Sequence, residues 1–548
     1  MAQLQFKGKT FVQNHHLLVK YHELVPVKAK SLTDKVTLHD NLIIHGDNLK
    51  ALKALLPLYA GKVKCVYIDP PYNTGNENWA YNDNVSSPMM QDWLGKVVDR
   101  EDLTRHDKSL CMMWPRLKLL HELLAEDGVI FVSIDDNEVH RLRETMDEIY
   151  GEGNFVGTFV WKRRASSALA EKLVSVDHEY VLAYHRGGMT NFAGVAKTFG
   201  AYSNPDNDPN GDWTFGDLTV GMTKEQRPNQ FYDLVDPKTG RRFKANPNRV
   251  WAFIQNTMAK EIAEGRVMFP DEPSARPMVK RYRKNLKSDV NPVSTWIRGF
   301  SDQSDGEEVT PLYSGLTSEG GKMLQEIFGT VPFNYSKPPS LLASLIEQVV
   351  PKSGLVLDSF AGSGTTAHSV LALNKKDGGN RRFILIECED YADTITAERV
   401  RRVIKGVPSA KDEVLKNGLG GTFSFFKLGK AIELESILEG DSLPTYEELA
   451  RYVFYTATGE EFDDKAVDEK KHFVGESRNY QVFLFYELDV AKLKNLAFTL
   501  DMAKALPPLK PDKRRLVFAP TKYLDQEHLD QFRIDFAQLP YEIYELTR

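Results

Sequence analysis

The chain has 548 residues, 42% hydrophobic and 27% charged, with a formal net charge of −6; that length exceeds one hydrophobic core, so two or three domains are expected. No run approaches the roughly twenty apolar residues of a membrane helix, and the N-terminus lacks the apolar stretch of a secretory signal. Cys65, Cys111 and Cys388 lie far apart and fit neither a disulfide framework nor a zinc site, so a cytoplasmic protein with no membrane partner is expected.

In chain order, LIIHGD reads as a short buried strand, NLKALKALLPLY has helical spacing, and VKCVYID is a second buried strand that stops at Asp69-Pro70-Pro71-Tyr72. A helix follows from about Ser109 to Glu126, then the strand GVIFVSID, a helix from about Glu138 to Tyr150, and the strands FVGTFVWK and EYVLAY. Strands alternating with helices of this length predict a doubly wound, largely parallel α/β sheet. Residues 187–325 break the pattern with Pro, Asn, Asp, Gly, Trp and Tyr, as an inserted domain would. The α/β pattern resumes over 326–415 with the helix SLLASLIEQVV, the strand GLVLDSF, a glycine-rich turn, a helix and the strand RRFILIE. Residues 416–548 hold YQVFLFYEL, a helix over VAKLKNLAFTLDMAKAL and the strand RRLVFAP, and read as a small C-terminal α/β domain.

A negative net charge leaves nucleic-acid binding open, because only the face that meets phosphate must be positive. Arg276, Lys280, Arg281, Arg283, Lys284 and Lys287 form a basic run with no acidic residue among them, and Lys162, Arg163 and Arg164 form a second cluster. Either could be plain solvated surface.

Two motifs carry chemistry, each at the C-terminal end of a predicted parallel strand, where open α/β sheets bind ligands. Asp358-Ser-Phe-Ala-Gly-Ser-Gly-Thr-Thr366 lies between a strand and a helix. Gly362 and Gly364 allow a tight turn and close approach to a ligand, and the helix N-terminus presents free N–H groups. About twenty residues on, the next strand ends in Glu387, placed to accept from ribose hydroxyls. The string lacks the lysine of a phosphate-binding Walker loop and the third glycine of a dinucleotide site. In Asp69-Pro70-Pro71-Tyr72, the prolines remove two donors, so the Asp69 carboxylate and the Pro70 carbonyl can both face outward as acceptors. Two acceptors match the two N–H donors of an exocyclic amine, and Tyr72 offers a ring on which an extruded base can stack.

Together these residues resemble the amino-methyltransferase superfamily of DNA methyltransferases over about residues 40–405. The catalytic motif precedes the cofactor motif with an insert between them, the permuted order of the beta class. IDPPYNTG, GVIFVSIDDNE, FAGSGTT and ILIE look like the modification subunits of Type III restriction systems. The resemblance implies a Rossmann-like S-adenosylmethionine-dependent sheet and an N6-adenine-specific DNA methyltransferase, since the family's adenine enzymes carry Asp at the first motif position. It places Asp69, Pro70, Pro71 and Tyr72 at the flipped base. It places Asp358, Phe360, Ala361, Gly362, Gly364 and Thr365 around the cofactor, with Glu387 at its ribose, Asp47 near its adenine and Lys337 at its methionine end. It further implies double-stranded DNA as partner, a homodimer, and a separate restriction subunit carrying helicase and nuclease. The chain is short for such a subunit, which keeps a solitary methyltransferase or a subunit of another defence system open.

With no cysteine in either motif, covalent attack through a thiolate has no candidate nucleophile. Direct in-line attack of the amine on the sulfonium methyl is expected, with no metal. Asp135-Asp136-Asn137-Glu138 could tempt one toward a metal site but is expected to cap the following helix. The insert is the natural target-recognition domain, with Lys280, Arg281, Arg283, Lys284 and Lys287 as DNA-binding candidates. The alternatives are an N4-cytosine methyltransferase of the same geometry and a DNA-recognition subunit active only with a partner. RNA or protein-glutamine methylation fits less well, since the protein-glutamine enzymes of this superfamily usually show Asn-Pro-Pro-Tyr.

Overall fold

Buried β-branched runs separated by amphipathic helices build one eleven-stranded sheet in this computed structural model, which describes residues 4–73, 105–165, 173–188, 192–272, 275–302, 312–431, 443–460 and 462–539. The first strand, β1 (His22–Pro26), lies at one edge. β2 (Leu42–His45) leads through Asp47 into helix α1 (Asn48–Tyr59), and β3 (Val63–Ile68) follows. Helix α2 (Arg105–Leu123), β4 (Leu124–Ile134), helix α3 (Val139–Tyr150), β5 (Phe155–Lys162) and β6 (His178–His185) complete the N-terminal half. β7 (Trp296–Gly299) and β8 (Leu312–Ser314) are followed by helices α4 (Thr317–Phe328) and α5 (Pro339–Val349). Then come β9 (Leu355–Asp358), α6 (Thr365–Asp377), β10 (Arg382–Glu387), α7 (Glu398–Lys405) and β11 (Ser424–Ala431).

The strand order is β1-β11-β2-β10-β9-β3-β4-β6-β5-β7-β8. Strands β11 through β4 run parallel, with β1 and β6 antiparallel to their neighbours. From β9 the chain steps to β10 on one side, and from β3 it steps to β4 on the other. The boundary between β9 and β3 is therefore the topological switch point, where a ligand crevice is expected. Successive residues point to opposite faces: Leu42, Ile44, Val66 and Ile68 join one core cluster with α1, α2 and α3, while Ile43, Cys65 and Tyr67 join a second with α5, α6 and α7. The fold is thus the doubly wound α/β sheet expected, with helices on both faces.

The chain divides into two compact units, Met1–Ala193 with Val293–Arg548, and Gly194–Pro292. The second unit is narrower than the expected insert of 187–325: at its C-terminal side β7 pairs in parallel with β5 and β8 pairs with β7, returning Trp296–Gly299 and Leu312–Ser314 to the main sheet. That second unit contains a three-stranded antiparallel sheet (Trp213–Asp217, Val267–Met268, Met278–Tyr282) over a small core including Leu218, Trp251 and Met258. At the C-terminal end, the 416–548 segment gives β11 to the main sheet. Its remainder forms a four-stranded sheet from Phe473–Glu476, Tyr480–Leu484, Arg514–Ala519 and Ile534–Gln538. The single helix expected over VAKLKNLAFTLDMAKAL is two short ones, Val490–Asn495 and Leu500–Ala505. Ala497–Phe498 pairs as a strand between them, and Thr499 caps the second with its hydroxyl.

Candidate functional site

β3 is buried along nearly its whole length and ends before Pro70 and Pro71, which have no N–H to donate to the ladder. The chain then turns at Asn73, which takes a left-handed φ of 57° and whose side-chain amide donates to the buried Glu138 carboxylate. Asp69 and Tyr72 thereby leave the sheet facing a cavity of about 770 Å³.

On its other side, Ser336-Lys337 precedes α5 and brings the Lys337 ammonium to Asp69. Nζ lies 2.8 Å from both Asp69 oxygens and donates to the Tyr72 hydroxyl at 2.8 Å. The Tyr72 hydroxyl in turn donates to Glu179 Oε2 at 3.1 Å, and Lys337 Nζ stands 3.5 Å from the same oxygen. Arg163 closes the chain of charges, 3.6 Å from Glu179 Oε1. Burial pulls the Lys337 pKa down, but the Asp69 and Glu179 carboxylates outweigh it and leave the ammonium above its ordinary value. Burial, Asp69 and Glu179 together push the Tyr72 phenol far up, so it remains a donor.

β9 delivers the glycine loop to the same cavity. Gly362 has φ +51°, and a Cβ there would meet the Phe333 ring at 3.2 Å, so the turn needs glycine. The Asp358 carboxylate accepts from the Phe360 N–H at 3.0 Å and from the Thr366 hydroxyl. Burial nevertheless raises its pKa to about 7. Glu387, at the end of β10, accepts from the backbone N–H groups of Gly362 at 2.7 Å, Cys388 at 2.9 Å and Glu389 at 3.1 Å. Burial is the larger influence there too and lifts it to about 7. Buried Arg399 donates to Ser363 at 2.8 Å and Thr365 at 2.7 Å, pinning the loop from beneath.

Of the expected site residues, Asp69, Pro70, Pro71, Tyr72, Lys337, Asp358, Phe360, Ala361, Gly362 and Thr365 line this one cavity. Asp47, Gly364 and Glu387 stand outside its lining. Asp47 caps α1 by accepting from the Lys50 N–H. Gly364, in the left-handed region at φ +79°, precedes the first residue of α6. Glu387 holds the loop by its amides and, with two oxygens and about four lone-pair sites, retains acceptor capacity. Asp135-Asp136-Asn137-Glu138 does not cap α3 through Glu138: that side chain makes no cap bond and holds Asn73 and His106 instead.

The basic candidates separate by environment. Lys280 is turned inward, bonded to Asp206 and Asp208 and lying over the Trp213 ring, so its charge is already compensated. Arg281, Arg283, Lys284 and Lys287 are exposed, Arg283 over Phe199 and Lys284 donating to Asn210 at 2.7 Å. In the second cluster, Lys162, Arg163 and Arg164 pair with Asp302, Glu179 and Asp177, which is the plain structural reading of that cluster.

Carboxylate-bearing strand ends on either side of a topological switch point, with a glycine turn leading into a helix N-terminus, define a doubly wound α/β protein with its crevice where such sheets bind ligands. The chain belongs to the DNA methylase family, whose sequence signature spans residues 63–398. It is 32% identical to the Type III restriction-modification enzyme StyLTI Mod subunit of Salmonella typhimurium, over 73% of this chain and 62% of that protein. It is 29% identical to the EcoP15I Mod subunit of Escherichia coli, over 64% and 58%, and 31% identical to the Type II methyltransferase M.KpnI of Klebsiella pneumoniae, over 62% and 79%. The chain thus spans about three fifths of the length of the two Mod subunits. No helix among the described residues is long and apolar enough to cross a membrane.

Glu179 and Arg399 were not legible as site residues. Glu179 lies in the apolar strand EYVLAY, and Arg399 in ERVRRVIK reads as one more surface cation. Only the partners that the fold brings to them give them a role.

Proposed function

We propose that the chain is a site-specific DNA methyltransferase that methylates the N6 amino group of adenine in double-stranded DNA with S-adenosylmethionine, as the modification component of a restriction system. The observation that carries this reading is the Asp69 carboxylate on the wall of the cavity that also receives the Asp358–Thr366 loop.

The cavity has the features such a cofactor needs. The turn at Gly362, at φ +51°, would bring a Cβ to 3.2 Å from the Phe333 ring and so favours the close approach that only glycine gives, and Asp358 is a buried carboxyl on the cavity wall that a cationic ligand would favour in its charged form. Phe360, Ala361, Gly362 and Thr365 would hold it against the start of α6, with Glu387 behind the loop. When bound, S-adenosylmethionine supplies the electrophilic methyl group.

The chain's own residues prepare the amine. Asp69 and the Pro70 carbonyl accept its two N–H groups, keep electron density on nitrogen and stabilise the positive charge that develops there. Tyr72 provides a ring for the extruded base. Exposed Arg281, Arg283, Lys284 and Lys287, on the unit formed by Gly194–Pro292, suit a target-recognition role through phosphate contacts. The reading also carries a separate restriction subunit as partner, a homodimer in which one protomer reads DNA while the other methylates, and a cytoplasmic location. The C-terminal four-stranded sheet is assigned to dimerisation or partner contact.

Expression in a host lacking adenine methylation, followed by modification-sensitive long-read sequencing, tests the activity. Methyladenine at one recurring motif, absent with Asp69→Ala, is expected. Methylated cytosine at that motif would replace the reading with the N4-cytosine class. Light scattering of the purified chain at twice the monomer mass is the result the homodimer requires.

A further inference from the structure

The Lys337 ammonium occupies what the target amine needs. It sits 2.8 Å from both Asp69 oxygens and 4.9 Å from the centroid of the Tyr72 ring. A base stacked on that face of Tyr72, with its amine on Asp69, meets a cation in the same space. Once the amine nitrogen becomes positive, the ammonium also repels it. Lys337 therefore has to leave Asp69 when the base docks. Its side chain is 11% exposed, and a buried ammonium without an acceptor is strongly unfavourable, so it must leave toward another anion.

Resting on the methyltransferase reading, the geometry points to Glu179 as a positioning residue: it receives the Lys337 ammonium when the target amine takes Asp69. Glu179 Oε2 is 3.5 Å from Nζ, so the transfer needs only a turn of the last side-chain bonds. The Glu179 side chain is itself only 12% exposed and is fixed from behind by Arg163. It also accepts from the Tyr72 hydroxyl, so the ring that stacks the base is anchored on the same carboxylate. Before docking the cation belongs chiefly to Asp69. After docking it belongs to Glu179, and Asp69 is left with its full negative charge for the amine.

The test uses the full chain with tritiated S-adenosylmethionine and a duplex containing the motif found by genomic sequencing. Glu179→Gln is expected to lower kcat about 30-fold with the KM for S-adenosylmethionine within about twofold, and Glu179→Asp to recover most of the loss. In a Lys337→Met background, the same Glu179→Gln change is expected to cost less than about threefold, since nothing remains to be moved. A second arm needs no turnover: in urea unfolding, Glu179→Gln lowers the midpoint more in an Asp69→Asn background than in the wild type, because Lys337 then depends on Glu179 alone. An active wild type whose Glu179→Gln variant keeps its kcat, or an equal loss with and without Lys337, overturns the inference while leaving the methyltransferase reading intact. Equal midpoint shifts in the two backgrounds overturn it as well. A folded wild type with no transfer to any duplex overturns the methyltransferase reading and the inference together.

Discussion

At the end of β3, half-buried Asp69 is paired with a cation that belongs to the chain itself, Lys337. At the ends of β9 and β10, Asp358 and Glu387 are buried, at 3% and 1% exposure, and among the described residues neither forms an ion pair. Their partners there are N–H groups and a hydroxyl, and burial raises both to about 7. A carboxyl buried without a counter-ion stands near the threshold of protonation until a positive ligand arrives. The proposed cofactor would be such a ligand.

The largest expected effect comes from breaking the paired end. Asp69→Asn keeps the shape and removes the charge. Methyl transfer should fall by about 10³-fold or more, with S-adenosylmethionine affinity by calorimetry changed only severalfold. Retained transfer would mean that the paired carboxylate is structural. Next is Gly320→Ala in α4, where a Cβ would lie 1.9 Å from the Ser336 carbonyl oxygen. The segment that carries Lys337 must then shift, at a cost of about 3 kcal/mol in urea unfolding. An unchanged midpoint would show that the segment yields freely.

The unpaired end is probed by pH. A carboxyl whose pKa is raised on folding binds its proton more tightly in the folded state, so stability falls as pH rises from about 4 to about 7. Asp358→Asn removes that dependence. Its stability relative to wild type should climb across this window by up to roughly 4 kcal/mol. A flat difference would mean that Asp358 is ionised throughout. The smallest effect lies in the Gly194–Pro292 unit, where Lys280 between Asp206 and Asp208 repeats the paired arrangement. Lys287→Ala should reduce the slope of log DNA affinity against log salt by about 1, while Lys280→Ala should lower stability and leave the slope alone. The reverse pattern would reassign the phosphate contact to Lys280.

Strands and helices that bury one continuous face were legible, because period and length suffice for them: β2, α1, β3, β5 and α5 fall where their apolar patterns put them. Asp69 and the Asp358–Thr366 loop were legible because a proline pair or a glycine turn at a strand end has few other uses. Position in space was not. Lys280 read as a DNA-binding candidate because sequence does not show that Asp206 and Asp208 fold under it. Glu179 was silent because its partners Tyr72 and Lys337 are far away along the chain. The C-terminal edge of the insert was not legible because β7 and β8 are too short to register as strands before β5 is there to pair with them.

Lys337 and Asp69 are 268 positions apart, and the whole Gly194–Pro292 unit lies between them. A ribosome adding on the order of ten residues per second delivers Asp69 roughly half a minute before the lysine that will pair with it. During synthesis β3 therefore waits with the edge meant for β9 unfilled while the intervening unit is made. Nascent chains halted in that interval carry the Asp69 carboxylate without the residues that complete its pocket, and their open strand edge is a surface for misassembly.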